Sequence, residues 1–172
     1  MHIFLTGAIQ AGKSTVISKT LAMLEIIPRG FRTYFGPDRE SSARRLYLND
    51  ASNAQIYREE NVVVNFTKGN PPQVLTERFD TLGVELIRSA RANANLILMD
   101  ECGHFERDAV LFQREILDAL HDSIPVLGVI KPFGSGWLDQ IRNHPKVSIV
   151  TVLQENRDIL PQMLARQLTL NG

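Results

Sequence analysis

A single cysteine, Cys102, stands in the 172 residues, so no intrachain disulfide can form and a reducing, cytoplasmic setting is expected. No apolar run is long enough to span a membrane. The N-terminus also lacks a basic flank with an apolar stretch, and no lipidation motif occurs, so no membrane partner is expected. An excess of charge of either sign is missing too, because 19 basic side chains balance 19 acidic ones. That balance removes the global field by which proteins gather nucleic acid, and it argues against nucleic acid as a partner while leaving room for a local patch. Repeats, low-complexity tracts and linker-like stretches are absent as well. Residues 1–172 are therefore expected to form one domain, long enough for one sizeable core and little more.

What is present is an alternation of strand-like and helix-like patterns. Residues 2–6 form a short β-rich run stopped by Gly7. From Lys13 to about Glu25, Val16, Ile17, Thr20, Leu21 and Leu24 make one helical stripe. Residues 26–35 read as a second strand. Between about 44 and 66, three short runs split by Asn, Asp and Ser predict an antiparallel hairpin or meander. The prolines at 71 and 72 suit a helix start, after which Phe79, Leu82, Gly83, Leu86, Ile87 and Ala90 keep helical spacing. Strands are then predicted at 96–100, 124–130 and 146–153. Helices are predicted at 108–121, with Asp108 as its cap, and from about Asp158 onward. This order points to an α/β domain, a mostly parallel sheet flanked by helices in three layers.

The strongest chemical signal is GAIQAGKST, residues 7–15, in which Gly7, Gly12, Lys13 and Ser14 satisfy the phosphate-loop pattern G-x-x-x-x-G-K-[ST] (Walker A). Glycines at both ends let the backbone bend around an anion, so that the N–H groups of Gly7, Ala8, Ile9, Gln10, Ala11, Gly12 and the residues after them face phosphate oxygens. The helix that follows turns its positive end to the same phosphates. Lys13 adds a full charge for the β and γ phosphates, Ser14 offers a hydroxyl to Mg²⁺, and Thr15 completes the motif. A match after a strand and before a helix is where this chemistry requires it. The expected ligand is a nucleoside triphosphate with Mg²⁺ as cofactor.

LILMDECGH, residues 96–104, is the second signal. A buried strand runs straight into Asp100 and Glu101, where desolvating a carboxylate is costly. Ligands of open α/β sheets bind at the carboxyl ends of parallel strands, the edge that Gly7 marks. If 96–100 is a parallel strand beside the first, Asp100 falls where it can hold a water of the metal bound by Ser14. Glu101, one residue on, suits a general base that polarises water for in-line attack on the γ-phosphate.

With these motifs, together with GFRT (30–33), DECGHFE (100–106) and ENRD (155–158), the chain resembles the small single-domain P-loop nucleoside-triphosphatase family, the group that includes the human cancer-related NTPase and thermophile NTPases. In that family the second region usually reads Asp-Glu-Ile-Gly-Lys-x-Glu. Asp100, Glu101, Gly103 and Glu106 match it, whereas Cys102 and His104 depart from it, and residues 35–70 match poorly. The resemblance implies Mg²⁺-dependent hydrolysis of several nucleoside triphosphates with weak base selectivity.

The remaining candidates are read from the residues. Glu106 either orients Glu101 or Lys13 or is a solvated residue ahead of a helix. His104 reads as a polar loop residue and Cys102 as a small buried filler. Asn156 and Arg157 fall in a loop at the nucleotide edge, with Arg157 able to stack on a base or pair with an acid. Lys131 and Arg142 lie in or beside the connection after residue 130, as transition-state cations or as solvated loop residues. A kinase passing the γ-phosphate to a small acceptor is the alternative to a hydrolase, but an arginine-rich lid is missing from residues 131–146. A slow regulatory switch would use the same site.

Overall fold

A computed structural model describes residues 1–134 and 136–170. Its elements are β1 (His2–Thr6), α1 (Lys13–Leu24), β2 (Arg29–Phe35), β3 (Ala43–Asp50), β4 (Val62–Thr67), β5 (Gln73–Val74), α2 (Thr76–Arg78), a π-helical stretch (Phe79–Gly83), α3 (Val84–Asn93), β6 (Ile97–Cys102), α4 (Val110–Ala119), β7 (Val126–Ile130), α5 (Trp137–Arg142), β8 (Val147–Thr151) and α6 (Leu160–Leu170). In β1 every residue from His2 to Leu5 is buried, which requires cover on both faces of the strand. Ile3 and Leu5 pack with Val16, Ile17 and Leu21 of α1 and Leu160, Leu164 and Leu168 of α6. Phe4 points the other way, into a core shared with α3, α4 and α5. The same alternation sorts β6, with Leu98 on the α1–α6 side and Ile97 and Met99 on the other. Strand period 2 against two helical layers produces the three-layer domain.

Among the described residues there is one eight-stranded sheet, in the order β5-β4-β3-β2-β6-β7-β1-β8. Strands β2, β6, β7, β1 and β8 are parallel, and β3, β4 and β5 extend the β2 edge as an antiparallel meander. The expected neighbour relation needs one correction: β7 lies between β1 and β6, so the Asp100 strand shares the edge of the P-loop strand without pairing to it. The close packing of β7 on β1 relies on Gly128, where a Cβ would come within 2.4 Å of the Phe4 ring.

Four boundaries differ from the sequence reading, each for a physical reason. The run 54–60 is not a strand. The Ile56 N–H is taken by the Tyr34 hydroxyl at 2.7 Å and its carbonyl accepts from Asn49 Nδ2 at 3.1 Å, so side chains replace a ladder. The prolines at 71 and 72 precede the two-residue strand β5, and the first helical turn waits until Thr76. Helix α4 starts at Val110, and Asp108 does not cap it. Asp108 pairs with Arg107 at 3.2 Å, while Asp80 of the π-helical stretch accepts the Phe112 N–H at 2.9 Å. Helix α6 begins at Leu160, with Pro161 in its first turn, where no N–H is needed. No described helix is long and apolar enough to cross a membrane.

Candidate functional site

Gly7 leaves β1 at φ +140°, and a Cβ there would sit 2.7 Å from the Val152 carbonyl oxygen, so only glycine makes this exit. The loop returns through Gly12 at φ +100°, and α1 starts at the next residue. Ala8, Ile9 and Gln10 are exposed at the loop's crest, and Ser14 and Thr15 are exposed in the first turn of α1. The Lys13 ammonium folds back over the loop and donates to the carbonyls of Gly7 at 3.0 Å and Ala8 at 2.8 Å. Burial holds its pKa below the ordinary lysine value, against the pull of Glu101 and Asp100. The strand, loop and helix start expected of residues 2–15 are thus formed, with the Lys13 ammonium turned back onto the loop's own carbonyls.

The second strand end meets it. Arg32 of β2 lies in register with Asp100 of β6, and the Thr33 hydroxyl bridges the two strand ends. It donates to the Asp100 carbonyl and accepts the Glu101 N–H, each at 3.3 Å. The Asp100 carboxyl is pushed up to about 6, first by desolvation and then by the adjacent Glu101 charge, with Arg32 and Lys13 opposing. The Glu101 carboxylate is ion-paired with the Lys131 ammonium. Lys131 opens the connection after β7, where its N–H donates to the Cys102 carbonyl at 3.1 Å.

Ser14 and Asp100 present hard oxygen donors beside the phosphate loop. No group of three His, Cys, Asp or Glu side chains gathers among the described residues. That donor set fits Mg²⁺, which takes one or two protein oxygens and completes its shell with phosphates and waters.

The other candidates fall into place around this pair. Glu106 is neither solvated nor directed at Lys13. It is buried, accepts the Gly103 N–H at 2.9 Å, and so fixes the turn that follows Glu101. Burial pushes its carboxyl up to about 7 and raises the buried Cys102 thiol as well. His104 is an exposed loop residue with its ring 4.2 Å from that of Phe105. Arg142 is not a free cation: it donates to the Lys131 carbonyl at 2.6 Å, the Gly134 carbonyl at 2.9 Å and Asp139 at 2.8 Å. Asn156 builds its own loop, accepting the Leu153 N–H at 2.8 Å and donating to the Thr151 carbonyl at 2.9 Å. Arg157 is exposed and arches over Gly12, its Cδ 3.5 Å from where a Cβ there would be.

Gly12, Thr15, Val16, Lys19, Arg157 and Asp158 line a cleft of about 310 Å³ beside the phosphate loop. Sequence reasoning missed Lys19 and Asp158 there. Helical period was the available signal for Lys19, which lies four residues after Thr15 on the same face of α1. Thr33 was missed as well, although it closes the GFRT motif.

The sequence matches, over residues 2–165, a protein family described as NTPase. It is 28% identical to a nucleoside-triphosphatase THEP1 of Thermofilum pendens over 97% of this chain and 94% of that protein. It is 27% identical to a nucleoside-triphosphatase THEP1 of Thermotoga petrophila over 99% of this chain and 94% of that protein. The fold is similar to the crystal structure of THEP1 from Aquifex aeolicus, with TM-score 0.76 at 20% identity, covering 98% of this chain and 99% of that one. It is also similar to the solution structure of a human cancer-related nucleoside triphosphatase, with TM-score 0.68 at 23% identity, covering 98% and 97% of the two chains.

Proposed function

The chain belongs to the NTPase family, and from that premise we propose that it hydrolyses nucleoside triphosphates, ATP and GTP among them, to the diphosphate and phosphate in an Mg²⁺-dependent reaction. The observation that carries this reading is the convergence of the 7–15 loop and the Asp100–Glu101 pair on one carboxyl edge of the sheet. The relatives named nucleoside-triphosphatase THEP1 support it.

In this reading the phosphates displace the Gly7 and Ala8 carbonyls from Lys13, and the N–H groups at the start of α1 meet the same oxygens. Ser14 and Asp100 would hold the Mg²⁺, Asp100 through a water, and its charge would offset that of the β and γ phosphates. Glu101 accepts a proton from the attacking water as the water oxygen bonds to the γ-phosphorus. The bond from that phosphorus to the bridging oxygen breaks in line, and the diphosphate leaves. Base selectivity is weak because the polar atoms of Asn156 are spent within its loop, which leaves the guanidinium face of Arg157, a stacking surface indifferent to the base. A cytoplasmic setting suits a chain whose one cysteine is free and buried.

Phosphoryl transfer to a second nucleotide is the weaker alternative, since Arg142 is engaged within its own segment and cannot serve as a lid arginine without giving up those bonds. Phosphate release and product analysis across the NTPs and dNTPs, with and without nucleoside monophosphates, tests the proposal. Free phosphate with similar rates for ATP and GTP is expected. Conversion of ATP to ADP only in the presence of an acceptor, with the phosphate found on that acceptor and none free, would establish the kinase instead.

A further inference from the structure

Two lysine ammoniums stand at the site, and both are engaged by the site's own oxygens. Lys13 donates to the loop carbonyls, and Lys131 is ion-paired with Glu101, the side chain read as the base. The Lys131 pair is not needed to hold that segment in place. Its N–H is bonded to the Cys102 carbonyl and its own carbonyl to Arg142, so the backbone is fixed at both ends of the residue. The side chain is left free to choose its partner.

The route of that side chain is also built. The Lys131 stem crosses the face of Gly103, where a Cβ would lie 3.3 Å from its Cγ and 3.7 Å from its Cε. Gly103 in turn is pinned by the buried Glu106. The ammonium therefore approaches Glu101 across a glycine that offers no side chain in its way. About a third of the Lys131 side chain stays open to solvent, so a second anion can reach it. Lys131 follows β7, the strand beside β1, and its charge acts on Lys13, so the two cations stand at the same edge of the sheet.

We propose that Lys131 gates the base: its ammonium occupies Glu101 in the nucleotide-free protein and transfers to the γ-phosphate of a bound triphosphate, releasing the carboxylate to the attacking water. A carboxylate engaged by an ammonium offers its lone pairs to that cation before it offers them to water. A triphosphate brings several anionic oxygens to the edge, and a partly exposed ion pair exchanges readily for a contact with a more highly charged partner. The diphosphate lacks the γ oxygens, so with it bound Lys131 stays on Glu101. The gate rests on the hydrolytic reading of Glu101 and adds to it a discrimination between substrate and product. In the hydrolysis step the proton leaving water goes to Glu101, and Lys131 exchanges no proton.

The test is Lys131→Met, which keeps the stem across Gly103, beside Lys131→Arg, which keeps the charge. Calorimetry with Mg²⁺ would measure ADP and a β,γ-methylene ATP analogue on both variants and the parent, with phosphate release from ATP measured in parallel. The expected result for Lys131→Met is ADP affinity within about twofold of the parent. Analogue affinity should be weaker by about tenfold or more, as for a lost charge-assisted contact, and turnover lower by at least about tenfold. Lys131→Arg should recover most of the analogue affinity. Equal weakening of ADP and analogue would make Lys131 a structural residue, and turnover of Lys131→Met at or above the parental rate would remove the γ-phosphate contact; either overturns the gate. A parent that releases no phosphate would strike the hydrolytic reading instead, and the difference between ADP and analogue remains a separate readout.

Discussion

Glu106 is only 3% exposed, and its carboxyl is pushed up to about 7, chiefly by burial. The folded value lies above the unfolded one of 4.5, so the native state keeps a proton that the unfolded chain gives up first. Its contribution is present below about pH 4.5 and is lost as pH rises through about 7, on the order of 3 kcal/mol at most. Glu106→Gln imitates the protonated carboxyl and can still accept the Gly103 N–H, so it should remove that loss and stand above the parent at pH 8 but not at pH 4. Urea unfolding at the two pH values reads this directly, and an unchanged difference between parent and variant would contradict it. His2 works in the opposite sense. Its Nε2 is 2.9 Å from the Leu120 carbonyl, its Nδ1 accepts the Val126 N–H, and burial lowers its pKa from 6.5 to about 4. Its neutral form stabilises the fold above about pH 6.5, and that contribution fades as pH falls toward 4. At the phosphate loop, Lys13→Ala should weaken triphosphate binding and abolish turnover while circular dichroism stays native, because the side chain hydrogen-bonds to carbonyls of its own loop. Lys13 was legible because its motif is contiguous. The burial of Glu106 was not, because nothing local tells a covered glutamate from a solvated one.

At the scale of elements, the strand and helix pattern was readable wherever burial itself sets the period. Val16, Ile17, Thr20 and Leu21 announce α1, and all four are buried. Along α6 the buried face is narrow, with Leu160, Leu164 and Leu168 covered, while Met163 and the preceding Ile159 are open to solvent. Sequence patterns failed where a side chain from a distant element supplies the hydrogen bond, as Asp80 does for α4 and Tyr34 for residue 56. The pairing of β7 with β1 gives the sharpest test at this scale. Gly128→Ala places a methyl 2.4 Å from the Phe4 ring in a fully buried layer, so Phe4 or the strand must move. A destabilisation of about 1–3 kcal/mol is expected from such overpacking, measured by denaturant unfolding. A variant as stable as the parent would show that β1 and β7 have slack the packing does not reveal.

For the whole molecule, the parallel strands gather residues remote in sequence at one edge: Lys13 after β1, Arg32 and Thr33 near the end of β2, Asp100 and Glu101 at the end of β6, and Lys131 after β7. Each short motif could be read alone, and the edge rule for α/β sheets joined the first to the third. The Lys131–Glu101 pairing could not be read, since it depends on β7 lying between β1 and β6, a strand order that no local pattern encodes. The division of labour between the two carboxylates is the central claim. Asp100→Asn should weaken Mg²⁺-dependent nucleotide binding, because it removes charge from beside the cation. The most direct test is Glu101→Gln, with Mg·ATP affinity from calorimetry and turnover from phosphate release on the same preparation. Affinity equal to the parent's or somewhat tighter is predicted, with hydrolysis slower by about a hundredfold to ten-thousandfold, the range for losing a positioned base. Hydrolysis by Glu101→Gln at close to the parental rate would show that Glu101 is not the base.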